Sequence, residues 1–456
     1  MLHGERLRDL RETRGVSLAE LADATHYSKS YLSRVENGLR KGTEALATRC
    51  ADALGADAAL LVAPPPPAPR TVAPGGPAVP DQLPPAPGAF TGRRTELAAL
   101  ETALGTVLEA AMETAPATAP HPGGDRDTTP AGPAVRLLDG MPGAGKTALA
   151  LHWAHRARPH FPGGVLFADL GGPGGPGAPR EPAEVLDGFL RALGTGPGLI
   201  PPDPGDRGAL LRTLLSRRRT LVVLDNAVDA AQVRPLLPGA PGCLTLVTSR
   251  SRMTGLVARD GAVRVTLAPL PPDDALELLR RTLGGPPVDG DPAAADALVR
   301  LCGRLPLALR VAVERIAERP GLTLAGAVAE LSRPRDRLEL LAPPDDADAA
   351  VRTVFSRSYR ALPPAVARAF RLLSLGPAPG PGLTEENAAA LLGTDRARAR
   401  ELLAALAGAH LLATAGPDHH RFHHLLQLYG RELAVRDDSR QARRAALDRL
   451  RAAGSG

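Results

Sequence analysis

The chain has 456 residues, a formal net charge of +6, and 44% hydrophobic but only 3% aromatic residues. This length is enough for about three or four domains with buried cores. The sequence shows no signal pattern, no apolar run of bilayer length and no CxxC spacing among its cysteines, which predicts a cytoplasmic protein with reduced thiols and no membrane partner.

Lysine and asparagine are so rare in this sequence that the positions where they occur are informative. The basic side chains are nearly all arginine, which is typical of GC-rich coding. Lysine occurs only at Lys29, Lys41 and Lys146, and asparagine only at Asn37, Asn226 and Asn387. We therefore expect the lysines to lie where a compact, flexible ammonium is needed, and we expect that Asn226 did not arise by mutational drift alone.

Residues 1–62 alternate apolar and charged positions at helical spacing and predict a helix-turn-helix domain. Ser17 and Glu20 form a capping box that opens one helix, and Ser28 caps the next. The second helix is expected to enter a major groove. The predicted DNA-facing residues are Lys29, Ser30, Ser33 and Arg34, with Arg40 and Lys41 facing phosphate. Because residues 1–60 hold nine basic and nine acidic side chains, a protein-docking domain stays the alternative.

A Pro-rich linker is predicted at 63–89, followed by a nucleotide-binding domain at 90–268 with a disordered insertion at 115–133. The apolar runs in this domain are VRLLD, GVLFADL, TLVVLD, CLTLVTS and AVRVTL. Helical segments separate them, which is typical of a parallel sheet covered on both faces. The sequence therefore predicts an α/β P-loop NTPase fold.

Three segments follow this domain. A helical domain is predicted at 269–344, with Asp273 or Asp274 as the N-cap of the helix in DDALELLRRTL. Short helices and then HLLATAGPDHHRFHHL, with two strands around a Gly-Pro turn, predict a winged-helix domain at 345–436. The remainder, 437–456, is expected to be a tail. The fold class is thus multidomain: an all-α helix-turn-helix, an α/β P-loop NTPase with a parallel sheet, a helical domain and a winged helix.

The stretch GMPGAGKT fits GxxxxGK[ST], with an apolar strand before it and a helix after it. Its glycines let the loop curl so that backbone N–H groups face phosphates. Lys146 would reach the β- and γ-phosphates, and Thr147 would hold Mg²⁺. The expected nucleotide contacts here are Gly140, Gly143, Gly145, Lys146, Thr147 and Ala148.

Two later strands supply the other candidate catalytic residues. Asp225, at the end of LVVLD, is predicted to ligate Mg²⁺. Asn226 follows it and can orient water, but it cannot accept a proton as a carboxylate does, which predicts slow turnover. Arg250, in TSR at the end of the next strand, is positioned to approach a γ-phosphate.

Together, these motifs resemble the NB-ARC module of STAND ATPases over residues 90–436, and the first sixty residues resemble a helix-turn-helix of the phage-repressor (XRE) type. FTGRRTEL matches the entry motif of that family, which implies that Gly92 and Arg93 lie beside adenine and ribose. CGRLPLAL implies that Pro306 packs on adenine. RFHHLLQLY matches the segment usually written MHD, which makes His423 the ligand of the ADP β-phosphate, with His424 where the family has an aspartate.

The resemblance implies an ADP/ATP-switched transcriptional regulator that binds DNA and Mg²⁺, is a slow ATPase, and self-associates when ATP is bound. Family members usually continue into a sensor superhelix, which cannot fit in the residues that follow the winged helix. Either the sensor lies outside this sequence, or a separate sensor or signal protein is a partner. Two alternatives stay open: an NLR-like signalling or defence scaffold whose N-terminal helices bind protein, and a housekeeping ATPase with steady turnover.

Overall fold

The computed structural model describes residues 4–37, 40, 42–56, 79–113, 134–174, 177–343, 345–376, 382–416 and 418–453. The chain forms two compact units, Met1–Pro77 and Ala78–Gly456. The predicted disordered insertion, 115–133, lies outside the described residues. Within the part of the chain that the structure describes, no helix is long and apolar enough to span a membrane.

The first unit is all-α. Its helices are Gly4–Thr13 (α1), Leu18–Thr25 (α2), Lys29–Glu36 (α3) and Glu44–Leu54 (α4). The capping box of Ser17 and the cap of Ser28 on α3 are both confirmed. The core holds Leu7, Leu21, Leu32, Val35, Leu46, Cys50 and Leu54. Arg11 and Glu36 form an ion pair at 2.7 Å that ties α1 to the end of α3.

The predicted parallel sheet is confirmed in the second unit. Its strands are Ala134–Gly140 (β1), Val165–Asp169 (β2), Leu221–Ala227 (β3), Leu244–Ser249 (β4) and Val263–Leu267 (β5). They lie in the order β2-β3-β4-β1-β5, all parallel. The associated helices are Arg94–Glu113 (α5), Lys146–Ala157 (α6), Pro182–Ala192 (α7), Pro204–Leu215 (α8), Ala230–Val233 (α9) and Thr254–Asp260 (α10). Alternate residues of β1 face opposite sides: Leu138 packs with Trp153 and Leu137 with Phe189.

The predicted linker at 63–89 includes residues that pair with the parallel sheet. Residues 63–78 lie outside the described residues, but residues 80–82 pair with the edge of the sheet. Asp81 pairs with Val165 of the edge strand β2, and the backbone N–H of Gln82 donates to Val165 O at 3.2 Å. An extended, Pro-rich segment lacks many N–H donors, so an edge strand is where it can pair.

The next region is helical. Its helices are Pro272–Leu283 (α11), Gly285–Gly290 (α12), Pro292–Leu301 (α13), Pro306–Ala317 (α14), Leu324–Leu331 (α15) and Arg337–Leu340 (α16). The predicted N-cap at Asp273 or Asp274 is wrong, because α11 begins at Pro272 with Pro271 as its N-cap. Proline is favoured at the first helical position, and the two aspartates then lie in the first turn, where they complement the helix dipole.

The C-terminal region, residues 351–453, combines helices with a small antiparallel sheet. Its helices are Val351–Arg360 (α17), Pro364–Leu373 (α18), Glu385–Leu392 (α19), Arg396–Gly408 (α20), His424–Asp437 (α21) and Arg440–Ala453 (α22), and its strands are Leu383–Thr384 (β6), Ala413–Gly416 (β7) and His419–Arg421 (β8). The strand order is β6-β8-β7, so the predicted pair of strands exists and gains a third.

The region predicted to be a tail, 437–456, contains the helix α22. Ala446 of this helix is fully buried. The Arg449 guanidinium donates to the carbonyls of Ala390 and Leu391, in the last turn of α19, at 2.8 Å each. These contacts dock α22 on the C-terminal region.

Candidate nucleotide site and DNA-facing surface

The glycine-rich loop has the curled backbone that the motif predicts. Gly140, Gly143 and Gly145 have φ of +145°, +80° and +92°, and Gly145 is the N-cap of α6. A Cβ on Gly140 would lie 2.5 Å from the carbonyl oxygen of Leu267, so this position requires glycine. The loop therefore presents its backbone at the N-terminus of a three-turn helix.

Lys146 is folded into this loop. Its Nζ donates to the carbonyls of Gly140 at 2.9 Å and Met141 at 3.0 Å, and the residue is 8% exposed. Burial, followed by the nearby charge of Arg250, lowers the pKa of Lys146 to about 7, and the charge of Asp225 acts against this shift. A buried cation held only by carbonyls gains strongly from an anion.

Asp225 lies on β3 beside the loop and is 3% exposed. Thr147 Oγ1 donates to its two carboxylate oxygens, at 2.9 Å and 3.0 Å, and Thr248 Oγ1 donates to Oδ1 at 2.5 Å. Burial raises the pKa of Asp225, while these hydroxyl bonds lower it. A hydroxyl and a carboxylate in contact are hard oxygen ligands of the kind Mg²⁺ takes, so both predicted metal ligands fit that ion.

Asn226 has a structural role that the sequence did not reveal. β3 continues two residues past Asp225 to Ala227, and Asn226 forms a bulge there with φ of +56°. Its Nδ2 donates to Asp169 Oδ1 and to Asp225 Oδ2, both at 3.2 Å. The amide thus bridges two carboxylates at the ends of neighbouring strands.

Arg93 and Pro306, two of the residues predicted near adenine, meet in a small cavity beside the loop. Its lining includes Phe90, Arg93, Gly145, Ala148, Pro306 and Arg310. Arg93 is 4% exposed and donates to Ala144 O at 2.8 Å and to Glu96 Oε1 at 2.9 Å, so it fixes the loop from the side. Gly92 is not in this lining but borders an adjacent concavity, where a Cβ on it would overlap the Asp274 side chain.

Arg250 lies between the end of β4 and the C-terminal region. Its Nη1 donates to the carbonyl of Val354 on α17 at 3.2 Å. Burial, followed by the charge of Arg357, lowers the pKa of Arg250 to about 10. The predicted γ-phosphate residue is therefore bonded to the C-terminal region while its charge still acts on Lys146.

His423 and His424 contact the C-terminal end of α13 and the loop that follows it. The Nε2 atoms of the two residues lie 2.9 Å from Gly303 O and 3.1 Å from Leu301 O. Because a carbonyl only accepts, each Nε2 carries the proton. Nδ1 of His423 is buried without a hydrogen-bond partner among the described residues. Burial lowers the pKa of His423 to about 4, and it also lowers that of His424.

A buried charge cluster next to the loop was missed by sequence reasoning. Asp139, fully buried on β1 immediately before Gly140, lies 3.1 Å from Arg264 Nε and 3.1 Å from His410 Nε2. Both distances are short enough for ion pairs, but the N–H groups do not point at the carboxylate oxygens as they would in hydrogen bonds. The signal available was a charged residue within the apolar run VRLLD, but its partners are 125 and more residues away in sequence.

The predicted DNA-facing residues lie on one helix and the segment that follows it. Lys29, Ser30 and Arg34 on α3 are exposed, as is Arg40, and Ser33 is partly exposed. Lys41 lies outside the described residues. These side chains form a polar face opposite the buried Leu32 and Val35.

These features define the class of protein: a helix-turn-helix domain in one chain with an α/β domain that has the parallel sheet and glycine-rich loop of P-loop NTPases. The match to a family described as helix-turn-helix domain, over residues 4–63, confirms that domain.

Known proteins with similar sequences are regulatory proteins. The chain is 43% identical over 376 residues to regulatory protein AfsR of Streptomyces griseus, covering 81% of this chain and 35% of that protein. It is 44% identical over 321 residues to AfsR of Streptomyces coelicolor, covering 70% of this chain and 31% of that protein. The chain thus spans about a third of the length of the curated relatives it matches.

Among solved structures, a Walker-type ATPase of Pyrococcus abyssi aligns with a TM-score of 0.47 and 14% identity, covering 75% of this chain and 96% of that one. A STAND protein with a tetratricopeptide repeat sensor from Pyrococcus horikoshii aligns with a TM-score of 0.33 and 16% identity, covering 84% and 50%.

Proposed function

We propose that the chain is a DNA-binding transcriptional regulator of the STAND type, switched by exchange of ADP for ATP. The observation that carries the proposal is the position of Arg250, which follows the strand next to β1 and donates to Val354 of the C-terminal region. A guanidinium prefers a phosphate to a neutral carbonyl. A γ-phosphate would therefore compete with the C-terminal region for this side chain.

The loop supplies the nucleotide contacts in this proposal. Lys146 would leave its carbonyl partners for the β- and γ-phosphates, and the N-terminus of α6 would face the same charge. Arg93 and Pro306 would border the adenine. Thr147 and Asp225 would hold Mg²⁺, which neutralises phosphate charge when bound.

Slow hydrolysis follows from Asn226. An amide cannot accept a proton from water, and this one is already engaged with Asp169 and Asp225. Since general base catalysis contributes about 10²- to 10⁴-fold, the site is suited to holding nucleotide rather than to rapid turnover. A second function of the chain as a steady ATPase is therefore disfavoured.

The switch consists of contacts between the nucleotide-binding side and the C-terminal region. The ADP form would keep His423 against the loop before Pro306, with its Nδ1 free to take up a proton and donate to phosphate. The ATP form would release Arg250 from Val354 and let the C-terminal region move. Such a switch needs a difference in affinity of the two forms for the two nucleotides. Self-association of the open form would raise the effective concentration of helix-turn-helix domains at paired DNA sites.

The test has two stages. Freshly purified protein is denatured and its released nucleotide is quantified by chromatography, with about one ADP per chain expected. Molar mass and affinity for DNA are then measured with ADP and with ATP for the wild type, for Arg250→Ala and for a control, Arg259→Ala, an exposed arginine on α10.

We expect ATP to increase mass and DNA affinity in the wild type and the control, while Arg250→Ala gives the same values with either nucleotide. Mass and DNA affinity that do not depend on nucleotide in the wild type would overturn the switch. ATP-dependent assembly without any DNA binding would instead favour the signalling scaffold.

A further inference from the structure

Four planar side chains form a stacked series on the helix-turn-helix unit. Arg40 Cζ lies 4.8 Å from the ring centroid of Tyr31, and Arg49 Cζ lies 5.8 Å from that of Tyr27. The two tyrosine rings are 5.5 Å apart and inclined by only 18°. We name Arg40, Tyr31, Tyr27 and Arg49 the arginine–tyrosine ladder.

The ladder joins three segments along one flank of α3. Tyr27 lies in the turn before this helix and Tyr31 in its first turn, four residues later. Arg49 comes from α4 and Arg40 from the segment that follows α3. The turn at His26, which has φ of +57° and ends α2, brings Tyr27 into line with the helix. The ladder therefore borders the polar face of α3.

Its two guanidiniums differ from those of Arg8 and Arg11, because neither has an acidic partner among the described residues. Arg8 pairs with Glu12 and Arg11 with Glu36. Among the acidic side chains that the structure describes in this unit, none lies within ion-pair distance of Arg40 or Arg49. Both arginines are exposed, while the tyrosine rings are partly buried. The ladder is thus a strip of uncompensated positive charge on a domain whose formal charges balance.

Stacking also prepares these arginines for a particular ligand. A guanidinium that lies over an aromatic face loses side-chain freedom before binding, and its N–H groups remain free at the edge of the plane. Edge-on N–H groups match the geometry of a phosphate. Two of them, at the two ends of one stack beside a helix with a polar face, match the backbone of a duplex whose groove holds that helix.

We propose that the arginine–tyrosine ladder binds DNA phosphates, with Arg40 and Arg49 as the contacts and the tyrosine rings as positioning groups. Arg49 and both tyrosines are additions to the DNA surface expected from the sequence. The inference rests on the proposed DNA-binding function and names a part of its interface.

The test measures how binding depends on salt. The full chain is titrated onto a fluorescent random-sequence duplex of about 30 base pairs at several NaCl concentrations, because non-specific binding reports phosphate contacts without a known operator. Each lost phosphate contact lowers the slope of log K against log[salt] by about 0.9. We expect this decrease for Arg40→Ala and for Arg49→Ala, and no change for the control Arg8→Ala.

The positioning role of the tyrosine rings is tested by replacing Tyr27 with one side chain that keeps the ring and one that does not. Tyr27→Phe keeps the ring and should match the wild type. Tyr27→Leu should weaken binding while its circular dichroism and thermal midpoint stay close to those of Tyr27→Phe. If Arg49→Ala has the same slope as Arg8→Ala while the wild type binds the duplex, the ladder proposal is overturned and DNA binding stands. A wild-type chain that binds no duplex at low salt would overturn both.

Discussion

The bridge made by Asn226 gives a prediction that separates its structural role from its chemical one. Asn226→Asp replaces one NH₂ group by oxygen at nearly constant shape, and both residues tolerate the left-handed backbone at this position. The change removes two hydrogen bonds to carboxylates. It also places a third carboxylate against Asp169 and Asp225.

The magnitude follows from the exposure of the two partners. A hydrogen bond to a charged group contributes about 1.5–3 kcal/mol. Asp225 is 3% exposed, so the contact to it carries most of the effect, whereas Asp169 is exposed and its contact is screened. With repulsion added, we expect the free energy of unfolding to fall by about 2–4 kcal/mol in the absence of Mg²⁺.

The assay is urea denaturation of nucleotide-free protein, first with EDTA and then with excess Mg²⁺. Because Mg²⁺ prefers carboxylate oxygens, the metal should restore most of the stability lost in Asn226→Asp. Asn387→Asp is the matched control: it makes the same change in the first turn of α19, where an added negative charge is favourable. Equal stability of Asn226→Asp and the wild type in EDTA would refute the bridging role.

Three further predictions follow from the site. Lys146→Ala should reduce co-purified nucleotide from about one per chain to nearly none, measured by chromatography after denaturation, with Lys29→Ala unchanged. His410→Ala leaves the buried Asp139 with Arg264 alone, so the free energy of unfolding should fall by about 1–3 kcal/mol in urea denaturation, and ADP should dissociate faster in a fluorescent-analogue assay. The pKa of His423 is about 4 in the folded protein and about 6.5 in the unfolded chain, so the unfolded chain binds more protons between these pH values. The free energy of unfolding should therefore fall by up to about 3 kcal/mol as the pH drops from about 6.5 to 4. The decrease should be smaller in His423→Gln.

The local features of this chain are readable from its sequence because neighbouring residues determine them. The capping box at Ser17, the five apolar strands and the loop around Lys146 each depend on a short run of residues, and the structure confirms them. The prediction places the start of α11 too late because two aspartates are good N-caps, yet the proline before them fixes the backbone two or three residues earlier.

Contacts between residues that are far apart in the sequence could not be predicted from it. The amide of Asn226 reaches Asp169, 57 residues away, and His410 reaches Asp139 from the C-terminal region. Arg250 was identified from its place after β4, but no sequence pattern indicates Val354 as its partner. Likewise, Pro-rich composition predicts an extended segment at Asp81 but not the edge strand on which it lies.

The positions of the interdomain contacts bear on how the proposed switch could work. Arg250, Arg252 and His410 make three of them, through Val354 O at 3.2 Å, Gly408 O at 3.0 Å and Asp139 at 3.1 Å. Each contributes about 0.5–1.5 kcal/mol net, or more where charge is buried. A change in population from 1:99 to 99:1 requires about 5.5 kcal/mol, which is of the same order as their sum. Because Gly408 and His410 lie on one turn, a single displacement of that turn would break the Arg252 and His410 contacts together, whereas the Arg250 contact is made to Val354 of α17. In the proposed switch, these contacts would hold the form in which they are made, and their sum is small enough for a difference in affinity between ADP and ATP to oppose it.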